Sequence, residues 1–124
     1  MYRHTVPEAP MKASLRTVHD HGVVYQCLMF CCPGCALMHH NSGLHMLPVN
    51  TTLKSPSWSF DGNIEEPTVN PSILTHSGVA GKKTTCHSYL RAGMFDFLGD
   101  CTHELAGQKV PMLDLPAWAI DEDT

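Results

Sequence analysis

Four cysteines at two distant places in the chain constrain its fold more than any other feature. Cys32-Pro33-Gly34-Cys35 sets two thiols three residues apart, and its proline and glycine predict a tight turn from which both thiols reach one ion. Cys86 and Cys101 follow much later in the sequence. A fold that brings the two halves together would complete a tetrahedral zinc site. We therefore predict the zinc ligands Cys32, Cys35, Cys86 and Cys101, with His39 or His103 as alternates.

A closed site of this kind would be structural and would contribute on the order of 10 kcal/mol to folding. The alternative is a set of buried, metal-free cysteines, since free cysteine is among the most buried residue types. That alternative is the preferred interpretation for Cys27 and Cys31, which lie on or beside a predicted strand.

Length and composition favour one small domain with many turns. The chain has 124 residues, with nine prolines and nine glycines, which suits short strands better than long helices. Its eight Lys and Arg residues are scattered and its net charge is −4, which argues against a nucleic-acid partner. No apolar run approaches the roughly 18 residues of a membrane span, and no signal-peptide core is evident. We expect a cytoplasmic protein, in which clustered cysteines indicate metal before disulfide.

The sequence divides into three parts. Residues 1–20 are predicted to form an N-terminal arm or edge segment, 21–118 a single zinc-binding β-rich domain, and 119–124 an acidic tail. The predicted fold class is mostly β, a small antiparallel sheet with hairpins and one short helical turn, stapled by zinc. The helical turn is expected over 100–107, and two prolines in 66–74 argue against a central strand across that whole stretch.

The clearest hairpin has strands over 84–90 and 94–98 with Ala92-Gly93 at the turn. Its loop length decides which side chains share a face. A two-residue loop places Cys86 and Cys101 on one face and His87 on the other. A three-residue loop reverses this and groups His87 with Cys101 and His103. The sequence leaves both open.

The order of motifs resembles a small family common in phages and prophages. The matching segments are Cys-Pro-Gly-Cys (32–35), Trp-Ser-Phe-Asp-Gly (58–62), Glu-Pro-Thr (66–68), Asn-Pro-Ser-Ile-Leu (70–74), Cys-His-Ser-Tyr (86–89) and the long stretch 97–108. Departures are Val69 in place of an aromatic residue and the segment Arg91-Ala92-Gly93, where the family is expected to have an acidic residue before the glycine. The family often carries the label "ammonia monooxygenase", which a thiolate-rich chain without a membrane span does not support.

Relatives of this family lie beside bacterial ubiquitin-like conjugation genes and resemble peptidases with a serine nucleophile next to a structural metal. The resemblance implies a protein substrate or partner, ubiquitin-like in kind. It implies Ser72 as nucleophile, with Ser88 as alternative. The base would be His87 or His103, and the orienting acid Asp100 or Glu66.

Two other functions remain open from the sequence. One is a non-enzymatic phage accessory protein that binds a host or virion partner through an exposed apolar tail containing Leu113, Leu115 and Trp118. The other is a zinc-dependent hydrolase with an open metal position, its ion held by Cys86, Cys101 and His103.

Overall fold

A computed structural model describes residues 11–38, 43–77, 81 and 83–116 of the chain. His39, Trp118 and the predicted acidic tail lie outside these residues. The elements in chain order are β1 (Ala13–Asp20), β2 (Val23–Cys31), α1 (Pro33–Leu37), β3 (Leu44–Val49), β4 (Ser59–Phe60), β5 (Val69–Ser77), β6 (Thr84–Arg91), β7 (Met94–Phe97) and β8 (Lys109–Pro111).

The strands form two antiparallel sheets, which confirms the mostly-β prediction. The first sheet has the order β1-β2-β3 and the second the order β4-β5-β6-β7-β8. Both sheets bury side chains in one core, to which β2 contributes Leu28 and Phe30 and β7 contributes Phe95 and Phe97. The rings of Phe30 and Phe95 meet across it with centroids 5.7 Å apart. Residues 13–20 of the predicted arm or edge segment form β1, at one edge of the first sheet.

The hairpin of β6 and β7 has a two-residue loop, because Arg91 pairs with Met94. Ala92 and Gly93 both have positive φ, 50° and 76°, as the type I′ turn of a tight hairpin requires. Along β6, Cys86, Ser88 and Leu90 are buried on the inner face, and His87 and Tyr89 are half-buried on the outer face. The structure thus shows that the loop has two residues and that Cys86 and His87 lie on opposite faces, which the sequence left open.

Strand β5 begins at Val69, so no strand covers the whole of 66–74, in line with the expectation drawn from the two prolines. It runs through Pro71 and lies between β4 and β6. The proline is tolerated because the β5–β6 register shifts there: Val69 pairs with Leu90, and regular pairing resumes only at Ile73 with Ser88. A residue without an N–H fits where the ladder is interrupted.

The helix forms at a different place from the expected helical turn. Helix α1 begins directly after Cys32, with Pro33 in its first turn, where the missing proline N–H costs nothing. Residues 100–107 form successive turns instead, ending at Gly107 with a φ of 78°.

The apolar segment before residue 117 is less exposed than predicted. Leu113 is 40% exposed, but Leu115 is only 5% exposed and packs with Met29 and Cys31 of β2. Leu115 is therefore buried and cannot belong to the proposed contact patch of Leu113, Leu115 and Trp118. Trp118 lies outside the described residues. Among the described residues, no helix has the length and apolar character needed to cross a membrane.

Candidate active site and metal centre

Ser72, His87 and Asp100 form a chain of hydrogen bonds on the outer face of the second sheet. Ser72 Oγ lies 3.1 Å from His87 Nε2. The other ring nitrogen, Nδ1, lies 3.0 Å from Asp100 Oδ2. With the proton on Nδ1, the ring donates to the carboxylate and accepts from the serine hydroxyl.

Three separate segments supply these side chains. Ser72 lies at the end of the irregular part of β5, and His87 lies on β6, the neighbouring strand. Asp100 lies in the turn that follows β7, which is tied back to β6 because Leu98 N–H donates to His87 C=O at 2.9 Å. The side chain of Asp100 is 56% exposed and that of His87 24%. The site is therefore open to a solvent-borne ligand.

The other residues predicted for catalysis lie elsewhere. His103 Nε2 is 3.3 Å from Cys86 Sγ, on the inner side of the sheet. Glu66 lies against the Ala92–Gly93 turn, where a Cβ on Gly93 would stand 3.3 Å from Glu66 Cα. Ser88 is only 2% exposed and belongs to the inner face of β6.

On that inner side, thiols from the two halves of the chain converge. Cys32 Sγ and Cys86 Sγ are 3.8 Å apart, about the separation of two sulfurs bound to one tetrahedral zinc with Zn–S near 2.3 Å. Cys32, Cys35 and Cys86 are each buried. The fold therefore brings a thiol of the Cys-Pro-Gly-Cys segment into contact with a thiol of β6.

The thiols of this cluster differ in pKa. Hydrogen bonds from the thiols of Cys32 and Cys86 lower the pKa of Cys35 to about 4, while hydrogen bonds with Cys32 and Cys35 raise the pKa of Cys86. A cluster that favours a thiolate suits a metal ion, because the thiolate is the ligating form.

More side chains surround the cluster than one tetrahedral ion needs. Ligand atoms within 4.8 Å of one another form two groups, Cys32 with Cys35 and His45, and Cys86 with Cys101 and His103. Each group has the donor set of a transition-metal site.

His45 is a member that the sequence did not single out. Its Nε2 lies 3.3 Å from Cys35 Sγ, and its ring stacks on Phe30. Strand β3 pairs antiparallel with β2 and places His45 opposite Phe30, close to the end of β2 from which the Cys-Pro-Gly-Cys segment continues. A strand on each side of that segment is the signal that would have found it, because antiparallel pairing of the two strands brings His45 back beside the cysteines.

The position of His103 depends on Gly34. A Cβ at Gly34 would come within 2.4 Å of His103 Nε2 and 2.8 Å of a Phe97 ring atom. Only glycine leaves this space between the two cysteines of α1. The glycine of the Cys-Pro-Gly-Cys segment therefore permits the imidazole to reach the thiols.

Cys101 contacts both the cluster and the hydrogen-bonded site. Its Sγ accepts from the His87 backbone N–H at 3.2 Å and lies 3.2 Å from the His87 carbonyl oxygen. Burial raises the pKa of the Cys101 thiol, and burial also raises the pKa of Cys27 and Cys31.

The fold and the outer-face residues define a class: a small β domain whose serine, histidine and carboxylate have the contacts of a serine hydrolase triad. Residues 2–98 match the family model described as bacterial ubiquitination-like system serine protease (BubE). The chain belongs to that family. The match includes Ser72 and His87 and ends before Asp100. Comparisons with curated proteins and with solved structures find no match.

Proposed function

We propose that this protein is a serine protease of a ubiquitination-like system, with Ser72 as nucleophile, His87 as base and Asp100 as orienting acid. The observation that carries the proposal is the pair of hydrogen bonds on one imidazole, 3.1 Å to Ser72 and 3.0 Å to Asp100. Serine, histidine and carboxylate in that order are the groups that acyl transfer needs.

In the first step, Ser72 Oγ attacks the carbonyl carbon of the scissile amide while its proton passes to His87 Nε2. Asp100 accepts from Nδ1–H, which keeps Nε2 free to take that proton and stabilises the imidazolium that results. The imidazolium then gives its proton to the departing amine nitrogen, and the C–N bond breaks. The product of this step is an ester between the substrate acyl group and Ser72.

In the second step, water replaces the amine. His87 Nε2 accepts a proton from the attacking water and returns it to Ser72 Oγ as the ester bond breaks. The carboxylic acid leaves and the hydroxyl of Ser72 is restored.

The family supports a protein substrate, and we propose the C-terminal tail of a ubiquitin-like protein. Leu74 is paired opposite His87 and is 51% exposed, an apolar side chain beside the nucleophile on the outer face. An extended tail lying across this face would contact Leu74 while its carbonyl reaches Ser72.

We propose zinc as a structural ion held by Cys32, Cys35, Cys86 and Cys101. When bound, zinc would supply folding free energy and fix α1 against β6. His103 suits a supporting role, because its Nδ1 accepts from Leu105 N–H at 3.2 Å. The ring proton then belongs on Nε2, which donates to Cys86 rather than binding the ion.

An open catalytic zinc held by Cys86, Cys101 and His103 has less support. Among the described residues, Cys86, Cys101 and His103 do form one ligating group. However, Cys32 Sγ lies 3.8 Å from Cys86 Sγ and offers an ion bound there a fourth protein ligand. Those side chains lie on the inner side of the sheet, where Cys86 is only 2% exposed. A substrate carbonyl would have to enter the core to reach such an ion.

The test is labelling by an alkyl fluorophosphonate, in which an activated serine oxygen displaces fluoride from phosphorus. We expect one label on Ser72 and none on Ser72→Ala, with zinc content equal in both. Ser88→Ala is the matched control and should label as the natural sequence does. A label that persists in Ser72→Ala, or the absence of any label on the zinc-loaded protein, would refute the proposal.

Cleavage is then measured with the ubiquitin-like protein of the same system, extended at its C-terminus by a short peptide. Release of the extension by the natural sequence, lost in Ser72→Ala, is the expected result. Labelling without cleavage would retain the serine hydrolase and overturn the proposed substrate.

A further inference from the structure

Trp58 connects the first sheet to the strand that carries Ser72. Its backbone N–H donates to Pro48 C=O at 2.9 Å, and its own C=O accepts from Asn50 N–H at 2.8 Å. A parallel bridge to Val49 accompanies these bonds. The end of β3 therefore fixes the backbone of Trp58 on both sides.

The indole of Trp58 reaches the second sheet. Its Nε1–H donates to the backbone C=O of Ser72 at 3.2 Å. The ring is half-buried and packs against the core that both sheets share. A two-ring side chain held at its backbone and along its face has little freedom, so the donor is in a fixed place.

The segment that receives this bond lies outside regular pairing with β6. Because Val69 pairs with Leu90 and Ile73 pairs with Ser88, residues 70–72 stand opposite Tyr89 alone. The β5–β6 ladder therefore does not set the backbone position of Ser72. The hydrogen bond from the Trp58 indole therefore restrains the backbone carbonyl of Ser72 at a place where β5–β6 pairing does not.

We propose that Trp58 is a positioning residue for the nucleophile, acting through the Ser72 carbonyl to hold Oγ in line with His87 Nε2. This inference rests on the proposed serine protease function. Attack by a hydroxyl depends steeply on its placement, so a looser segment lowers the chemical rate even when the ligand still binds.

The test compares Trp58→Phe with the natural sequence in full-length, zinc-loaded protein. Phenylalanine keeps an aromatic ring in the core and removes the indole N–H. The probe is an alkyl fluorophosphonate, and its concentration dependence separates the maximal labelling rate from the half-saturating concentration. We expect the maximal rate to fall by at least about fivefold, because one hydrogen bond no longer restrains the backbone of Ser72. The half-saturating concentration should change by less than about twofold, since the indole does not touch the probe.

Gln108→Met is the matched control. Gln108 Nε2 also donates to a backbone carbonyl at 3.2 Å, that of Glu104 and not that of Ser72. Loss of this hydrogen bond should leave both the maximal labelling rate and the half-saturating concentration unchanged. Because partial unfolding also lowers the observed rate, the folded fraction of each variant is measured by circular dichroism and the maximal rates are compared after division by that fraction.

The outcomes separate this inference from the function on which it rests. Natural protein that does not label on Ser72 overturns both. Natural protein that labels, with Trp58→Phe at the same maximal rate, overturns the positioning role and leaves the protease intact. A change confined to the half-saturating concentration, or an equal loss in Gln108→Met, also overturns it. A lower maximal rate in Trp58→Phe alone supports it.

Discussion

At the scale of single residues, the two faces of β6 carry different groups: the outer face carries the proposed catalytic histidine, and the inner face carries a thiol of the cluster. His87 points outward to Ser72 and Asp100, while Cys86, the residue before it, points inward to Cys32. The same alternation recurs where Asp100 precedes Cys101. In each of these two adjacent pairs, one side chain belongs to the proposed active site and the other belongs to the thiol cluster.

Asp100→Asn should lower catalysis without removing zinc. An amide in place of the carboxylate no longer stabilises the imidazolium and can favour the wrong ring tautomer, so the maximal labelling rate should fall by roughly 10²- to 10⁴-fold. The control is Asp96→Asn, an acid on β7 paired opposite Tyr89 on the same outer face. Equal rates for Asp100→Asn and the natural protein would exclude Asp100 from the site.

Cys86→Ala should abolish zinc binding, because its thiol is the contact from β6 to Cys32. We expect less than one zinc per chain by metal analysis and loss of cooperative unfolding. Cys27→Ala is the control: Cys27 is 4% exposed and stands outside both ligating groups, so it should cost packing energy and leave zinc in place. Full zinc content in Cys86→Ala would contradict the proposed ligand set.

At the scale of elements, the β6–β7 hairpin determines both sites. Its two-residue turn sets the register in which Ser88 pairs with Phe97, and this register assigns every side chain of β6 to a face. One residue more in the loop would exchange Cys86 with His87. The turn is thus the element on which the arrangement of thiols and imidazole depends.

Ala92→Asn should stabilise the protein. Ala92 has a φ of 50°, which alanine adopts at a cost and asparagine tolerates better. We expect a gain of about 0.5–1 kcal/mol in the free energy of unfolding, measured by urea denaturation, with labelling unchanged. Gly93→Ala should act in the opposite direction, since its φ is 76° and its new Cβ would crowd Glu66. A loss of stability in Ala92→Asn would contradict this account of the turn.

At the scale of the whole molecule, the thiol cluster joins segments that are distant in sequence. Cys32 and Cys35 lie at the start of α1, between β2 and β3 of the first sheet, whereas Cys86 lies on β6 of the second sheet. A zinc ion bound by these cysteines would hold the segment after β2 against the second sheet. Structural zinc contributes on the order of 10 kcal/mol, comparable with the total stability of about 5–15 kcal/mol of a small domain.

Removal of zinc should therefore unfold the protein and, as a consequence, end labelling. With a strong chelator, we expect circular dichroism and labelling to decay together at one rate. Ser72→Ala should lose its structure at that same rate, because the serine is not a ligand. Loss of labelling while the fold persists would instead indicate a zinc that takes part in catalysis.

Much of the fold was predictable because its determinants are local. Ala92-Gly93 between two predicted strands, 84–90 and 94–98, indicated the hairpin of β6 and β7. The prolines of 66–74 did not show that a strand begins within that stretch, since a register shift accommodates Pro71 inside β5. A register shift depends on the partner strand, which local composition does not reveal.

The sequence by itself determined the mostly-β class, the convergence of the Cys-Pro-Gly-Cys segment with Cys86, and the residue types of the proposed catalytic set. Only the tertiary structure decided that His87, and not His103, contacts Ser72 and Asp100, and that His45 joins the thiols. The physical reason is that a strand exchanges its two faces with a shift of one residue. Loop length, strand register and the packing of distant segments fix that shift, and they exist only in the folded chain.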